Sequence, residues 1–69
     1  MWNKIAGNWK QIKGEVQSRW GALTNDDFDQ IQGQYEKLAG KIQERYSVAQ
    51  KEAYRQIDEW AEEVKSRLS

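Results

Sequence analysis

A chain of 69 residues makes one small domain with a thin core, since at this size only about 60% of the surface exposed by the unfolded chain is buried. It has no cysteine and no histidine, which removes disulfides, thiolate or imidazole zinc sites, a cysteine nucleophile and a general base titrating near neutrality. Eleven Lys and Arg balance eleven Asp and Glu, so the molecule as a whole lacks the positive charge of a phosphate-binding protein.

The opening residues Met1-Trp2-Asn3-Lys4-Ile5 lack the apolar core of a secretory signal, and residues 1–7 are expected to fray or form a turn. Ile5, Trp9, Ile12, Val16 and Trp20 then recur at steps of four, three, four and four, the helix period. Asn8, with Gln11 three residues on, is a reasonable N-cap for the main helix.

A corner follows. Gly21 can supply the left-handed residue that closes a helix. Thr24 and Asp27 form a Thr-x-x-Asp capping box, and Leu23 and Phe28 have the spacing of a hydrophobic staple. Asp26 and Asp27 place negative charge at the positive end of the next helix dipole.

Beyond the corner, Phe28, Ile31, Tyr35, Leu38, Ile42 and Tyr46 repeat the helical stripe. Gly33 and Gly40 interrupt it, each costing roughly 0.8–1.0 kcal/mol relative to alanine if helical. The reading is a short helix near 25–32 and a second near 34–46. Alanine at one glycine at least is expected to destabilise.

Ser47 and Gln50 suggest a second capping box. The last helix carries the stripe Ala49, Ala53, Ile57, Trp60, Val64 and Leu68, flanked by Tyr54 and Ala61. Glu63–Arg67 and Glu62–Lys65 are spaced for ion pairs along it.

Gln11-Ile12-Lys13-Gly14 with Gly21 is echoed by Gln30-Ile31-Gln32-Gly33 with Gly40, which reads as an approximate duplication of a helix–turn unit. The charge is polarised as well. Residues 1–20 carry Lys4, Lys10, Lys13 and Arg19 against Glu15; residues 21–40 carry Asp26, Asp27, Asp29 and Glu36 against Lys37. Antiparallel packing of these thirds would let them attract each other; the other reading is a basic face that meets an acidic partner.

Four tryptophans and the absence of proline favour a folded all-α domain of about four helices in a small bundle. Its expected core is Trp9, Trp20, Phe28, Leu38, Ile42, Ile57 and Trp60, with Trp2 as the exposed ring. No apolar run reaches the ~18 residues of a transmembrane helix. With no signal and no cysteine, the expected location is cytoplasmic.

The motif residues also carry a resemblance. Asn8-Trp9-Lys10-Gln11-Ile12-Lys13-Gly14, Trp20-Gly21, Leu23-Thr24, Asp26-Asp27, Ile31 with Gly33, Leu38, and Gly40-Lys41-Ile42-Gln43-Glu44-Arg45-Tyr46 resemble the CsbD-like bacterial stress-response family over roughly residues 7–46. The resemblance implies a single small cytoplasmic domain raised in general stress, with a compact bundle similar to two packed helical hairpins. Family members often place glycine after the final tyrosine; Ser47 stands there in this chain and favours a capped rather than a left-handed junction. The resemblance transfers no catalytic or binding residue.

Catalysis finds little footing. Ser18, Ser47, Ser66 and Ser69 have no histidine partner, and adjacent carboxylates such as Asp58 and Glu59 diverge on a helix rather than face each other. Asp26-Asp27-x-Asp29 lacks calcium-loop spacing. The last helix has an apolar face, but its polar side is acidic at Asp58, Glu59, Glu62 and Glu63, which does not suit a membrane surface. A candidate basic face, Lys10, Lys13 and Arg19, lies on the first main helix. The expected function is a non-enzymatic protein-interaction or protective module with no cofactor and no metal. The alternative is weak nucleic-acid binding through that basic face, for which three cations on a neutral protein are few.

Overall fold

The computed structural model, which describes residues 2–68, the side chain of Leu68 excepted, has five helices. They are α1 (Trp2–Gly7), α2 (Trp9–Arg19), α3 (Asn25–Ile31), α4 (Tyr35–Tyr46) and α5 (Gln50–Leu68). The helical reading and the division of the middle third hold to within a residue or so at each end.

One apolar cluster joins all five helices. Ile5 comes from α1, Ile12 and Val16 from α2, Phe28 and Ile31 from α3, Leu38, Ala39 and Ile42 from α4, and Ala53, Ile57, Trp60 and Val64 from α5. Trp20 and Leu23 enter it from the corner. Trp20 meets Trp60 edge-to-face at 5.4 Å between ring centroids, a geometry worth about 0.5–1.5 kcal/mol beyond area burial. The side chain of Leu68, last in the expected α5 stripe, lies outside the described residues, and Ala49, first in it, is exposed.

Several expectations change. Residues 2–7 are helical, held by fully buried Ile5 and by Trp2, whose Nε1 donates to the Gly33 carbonyl at 2.8 Å. Trp2 is therefore packed, edge-to-face on Tyr35, rather than exposed. Trp9, expected in the core, is half-buried at its edge against Phe28. Asn8 does stand at the N-cap of α2, yet its side chain makes no cap bond there. Its Nδ2 donates instead to the Lys4 carbonyl, one of those left open where α1 ends.

The turns differ too. The left-handed residues among those described are Gln32, Gly33 and Ser47, not Gly21. Helix α2 stops at Trp20, whose non-helical backbone (φ −126°, ψ 76°) still lets its N–H donate to Val16 O. Burial of the Trp20 ring and its Nε1 bond to Gln56 Oε1, at 3.0 Å, anchor that stop, so no left-handed glycine is needed. Ser47 caps the C-terminus of α4 in the left-handed conformation (φ 55°, ψ 43°) and does not open α5.

Nor is the internal echo a structural repeat. Ile12 and Ile31 are both buried, but Gly14 sits inside α2 with open space where a Cβ would be, whereas Gly33 makes a turn. Along α5, Lys65 pairs with Glu62 as spaced, while Arg67 reaches across to Glu15 on α2 instead of Glu63.

Candidate interaction surface

Ionisable groups sort into two sets, those the fold consumes and those it leaves at the surface. The first set centres on Asp27. The Thr24 N–H donates to its Oδ2 at 3.0 Å, and its own N–H donates to Thr24 Oγ1 at 3.2 Å, completing the capping box. The same carboxylate receives a two-pronged Arg45 guanidinium from α4, Nε to Oδ2 at 3.0 Å and Nη2 to Oδ1 at 2.9 Å. Lys41 Nζ, one helical turn earlier on α4, stands 3.5 Å from Oδ1.

Asp27 is 1% exposed and fully engaged. The Arg45 hydrogen bonds, then the Thr24 N–H, hold its carboxyl far below the usual carboxylate range although burial acts the other way. A carboxylate locked in this way is neither a base nor a free ligand. Tyr46 adds a further tie, its hydroxyl accepting from Ala22 N–H at 3.0 Å.

A second consumed set joins α4 and the corner to α5. Burial first, and then donation to Asp58 Oδ1 at 2.6 Å, push the Tyr35 hydroxyl up to about 12. Gln56, which receives Trp20 Nε1, donates in turn to Glu52, and Arg55 bridges Glu52 and Glu59. Of these, the Trp20–Gln56 bond ties α5 to the corner and the Tyr35–Asp58 bond ties it to α4, while the Glu52, Arg55 and Glu59 contacts run along α5 itself. The described residues hold no group of three or more His, Cys, Asp or Glu side chains that could hold a metal, and no helix among them is long and apolar enough to cross a membrane.

What is left open is a concavity of about 700 Å³ between α2 and α3. Trp9 and Phe28 form its apolar floor, Lys10 and Lys13 line it from α2, and Asp29 and Gln32 line it from the α3 side. A second hollow of about 660 Å³ shares Asp29 and Gln32 and continues toward Lys37 and Lys41 on α4. Neither is lined by Asp27.

The structure brings together Lys10 and Lys13, one turn apart on α2, but not Arg19. At 3.6 residues per turn Arg19 falls on the opposite side of the helix from Lys10. Its guanidinium stacks 5.0 Å from the centre of the Trp20 ring, near the Glu52 network. Lys10, Lys13 and Asp29 have no ion-pair partner among the described residues. Moreover, no ion pair among the described residues joins the first 20 positions to positions 21–40. The opposite charges of those thirds therefore stay unspent on each other.

Phe28, Asp29 and Gln32 were not legible as a wall beside Lys10 and Lys13. Phe28 is buried and Asp29 exposed on α3, with Gln32 at its C-cap, and which of them face α2 depends on the corner angle.

A family model described as CsbD-like matches residues 3–63. Among curated proteins, the chain is similar to a UPF0337 protein of Rhizobium meliloti (strain 1021), 63% identical over 30 residues covering 44% of each chain. It is also similar to UPF0337 proteins of Agrobacterium fabrum, 60% identical over 44% of this chain and 45% of that one, and of Rhodopseudomonas palustris, 60% identical over 44% and 46%. Each alignment thus spans less than half of the relative's length. No solved structure is a significant match.

Proposed function

The chain belongs to the CsbD-like family, and on that footing we propose that it is a non-enzymatic, cytoplasmic stress-response protein that works by surface contact, as a protein-interaction or protective module. The observation that carries this reading is the division of its charges. The buried carboxylate of the family motif is tied up by Thr24, Arg45 and Lys41 in holding the corner to α4, away from both concavities. Lys10, Lys13 and Asp29, three of the charged groups with no ion-pair partner among the described residues, instead line an open concavity together with Trp9 and Phe28.

Protein contact is favoured over phosphate clamping by the same geometry. With Arg19 turned away, the basic face reduces to Lys10 and Lys13, and Asp29 opposes them. Phosphate binding needs several cations acting together. Charged rims of this kind guide protein encounters and set specificity more than raw affinity.

The test is lysine-directed crosslinking in stressed cells, followed by mapping of the modified residues. The expected result is reproducible protein adducts through Lys10 or Lys13 that vanish in K10Q/K13Q. Adducts confined to nucleic acid, or protein adducts indifferent to those two lysines, would overturn the assignment.

A further inference from the structure

We propose that the α2–α3 concavity is a self-complementary surface through which two copies of this chain pair about a two-fold axis. This rests on the reading of the concavity as a protein-contact surface and names its partner.

The argument begins with the walls. One carries Lys10 and Lys13, the other Asp29, and none of the three has an ion-pair partner among the described residues. A partner of one sign meets one wall favourably and the other unfavourably: an acidic peptide or a phosphate meets Asp29, and a basic segment meets the lysines. A surface with both signs on facing walls is matched by its own two-fold image, because in such an interface residue i meets j and j meets i. Lys10 and Lys13 of each copy then face Asp29 of the other, twice.

The floor supplies the apolar part. Trp9 is half-buried and packs edge-to-face on Phe28 at 6.4 Å, leaving ring surface for a second copy to cover. Zero net charge removes the long-range repulsion that otherwise keeps identical molecules apart.

Size sets the strength. A specific, stable interface buries about 1,200–2,000 Å² counted over both partners, or roughly 600–1,000 Å² per copy, against the 4419 Å² that one chain exposes. A patch bounded by one concavity falls at or below the low end, so the pairing is weak, reversible and sensitive to salt.

Sedimentation equilibrium of the full chain tests this, using wild type, K10E/K13E, D29K and an equimolar mixture of the two variants. Wild type should show a monomer–dimer equilibrium at low salt whose dissociation constant rises about tenfold or more on going from about 50 to about 500 mM NaCl. Each variant alone places like charges opposite each other and should weaken pairing at least about tenfold. In the mixture, the acidic α2 wall of K10E/K13E meets the basic α3 wall of D29K, while the unchanged Asp29 of the first meets the unchanged Lys10 and Lys13 of the second. Association should then return as a heterodimer. Carbodiimide coupling of mixed light and heavy-isotope wild type should independently give Lys10–Asp29 or Lys13–Asp29 peptides of mixed isotope, a readout that does not depend on any variant folding. A wild type that stays monomeric at low salt and millimolar concentration overturns the proposal. So do a dimer indifferent to both variants and a mixture that fails to associate. If the chain is monomeric yet still forms Lys10 or Lys13 adducts with other proteins in cells, self-pairing fails and the contact-surface reading stands.

Discussion

The corner at Thr24–Phe28 and the concavity beside it use the same materials, cations, a carboxylate and aromatic rings, to opposite ends. At the corner, Asp27 is 1% exposed and takes hydrogen bonds from its own cap and from α4. At the concavity, Lys10, Lys13 and Asp29 line one hollow without pairing with an opposite charge among the described residues. The difference lies in reach and anchoring. Asp27 is fixed at N3 of a capped helix, and Lys41 and Arg45, one turn apart on α4, both point at it. The residues that mark the family therefore include the ones the fold uses up, and the surface available for contact sits next to them.

Breaking the corner should have the largest effect. Asp27→Asn removes the carboxylate while leaving Arg45 and Lys41 aimed at its place. Loss of one partner of a buried pair costs about 3–5 kcal/mol, and the low end applies because Arg45 is 40% exposed and can rehydrate. A single core of this size supplies only about 3–5 kcal/mol in all. A loss near the low end leaves roughly 0–2 kcal/mol, so D27N should be marginally stable, with a strongly lowered urea midpoint and a partly unfolded population by far-UV circular dichroism.

The same residue sets the acid response. Its folded pKa lies below the unfolded value of about 3.9, so its stabilisation is complete above about pH 4 and is lost as pH falls through the folded value. Glu52, held at about 2 by Arg55 first and then Gln56, titrates in the same window. Its pair with Arg55 is exposed and screened by salt. In high salt, the loss of stability below pH 4 should persist in wild type and flatten in any D27N that still folds.

What was legible in the sequence was local. The capping box, the staple pair and the split of the middle third rest on residues within a few positions of one another. Asp27's second role was not legible, because it needs Arg45 eighteen positions away on another helix. The left-handed conformation of Ser47 was hidden for a related reason. Serine favours caps, and only the packing of α4 against α5 decides that this one closes a helix rather than opens one. The Lys10–Lys13 side of the concavity was visible from spacing, but Asp29 opposite them was not, since the approach of α3 to α2 is tertiary.

The glycines carry the contrast into the backbone, between positions the fold requires and positions it tolerates. Gly33 sits at φ +76°, so although a Cβ would meet Ala6 and Trp9 no closer than 3.5 Å, alanine there is strained. Gly33→Ala should destabilise by about 1–2 kcal/mol. Gly40 is inside α4 with nothing within 4 Å of where a Cβ would stand, and Gly40→Ala should stabilise by up to about 1 kcal/mol. Thermal melts of opposite sign are the expected result. Ser47→Gly should stabilise by a few tenths to about 1 kcal/mol by relieving the left-handed strain at φ 55°, offset by the greater freedom of glycine in the unfolded chain.

The smallest effect is expected at the concavity, and it is the one that decides whether the two regions are truly different in kind. Lys10→Gln with Lys13→Gln removes two charges of the same type that Lys41 and Arg45 carry at the corner. Neither lysine makes an ion pair among the described residues, and glutamine keeps the first part of the aliphatic stem, so packing along α2 is preserved. Helix propensity is also nearly matched between Lys and Gln. Substitutions of this kind stay within about 0.5 kcal/mol, and urea titration of dilute protein, where the chain is monomeric, should place the double variant in that range. A loss comparable with D27N would mean that these lysines hold α2 to α3 across the concavity, making the hollow part of the fold's support. Unchanged stability together with lost crosslinking through this face would separate contact from folding in a way that no substitution at Asp27 can.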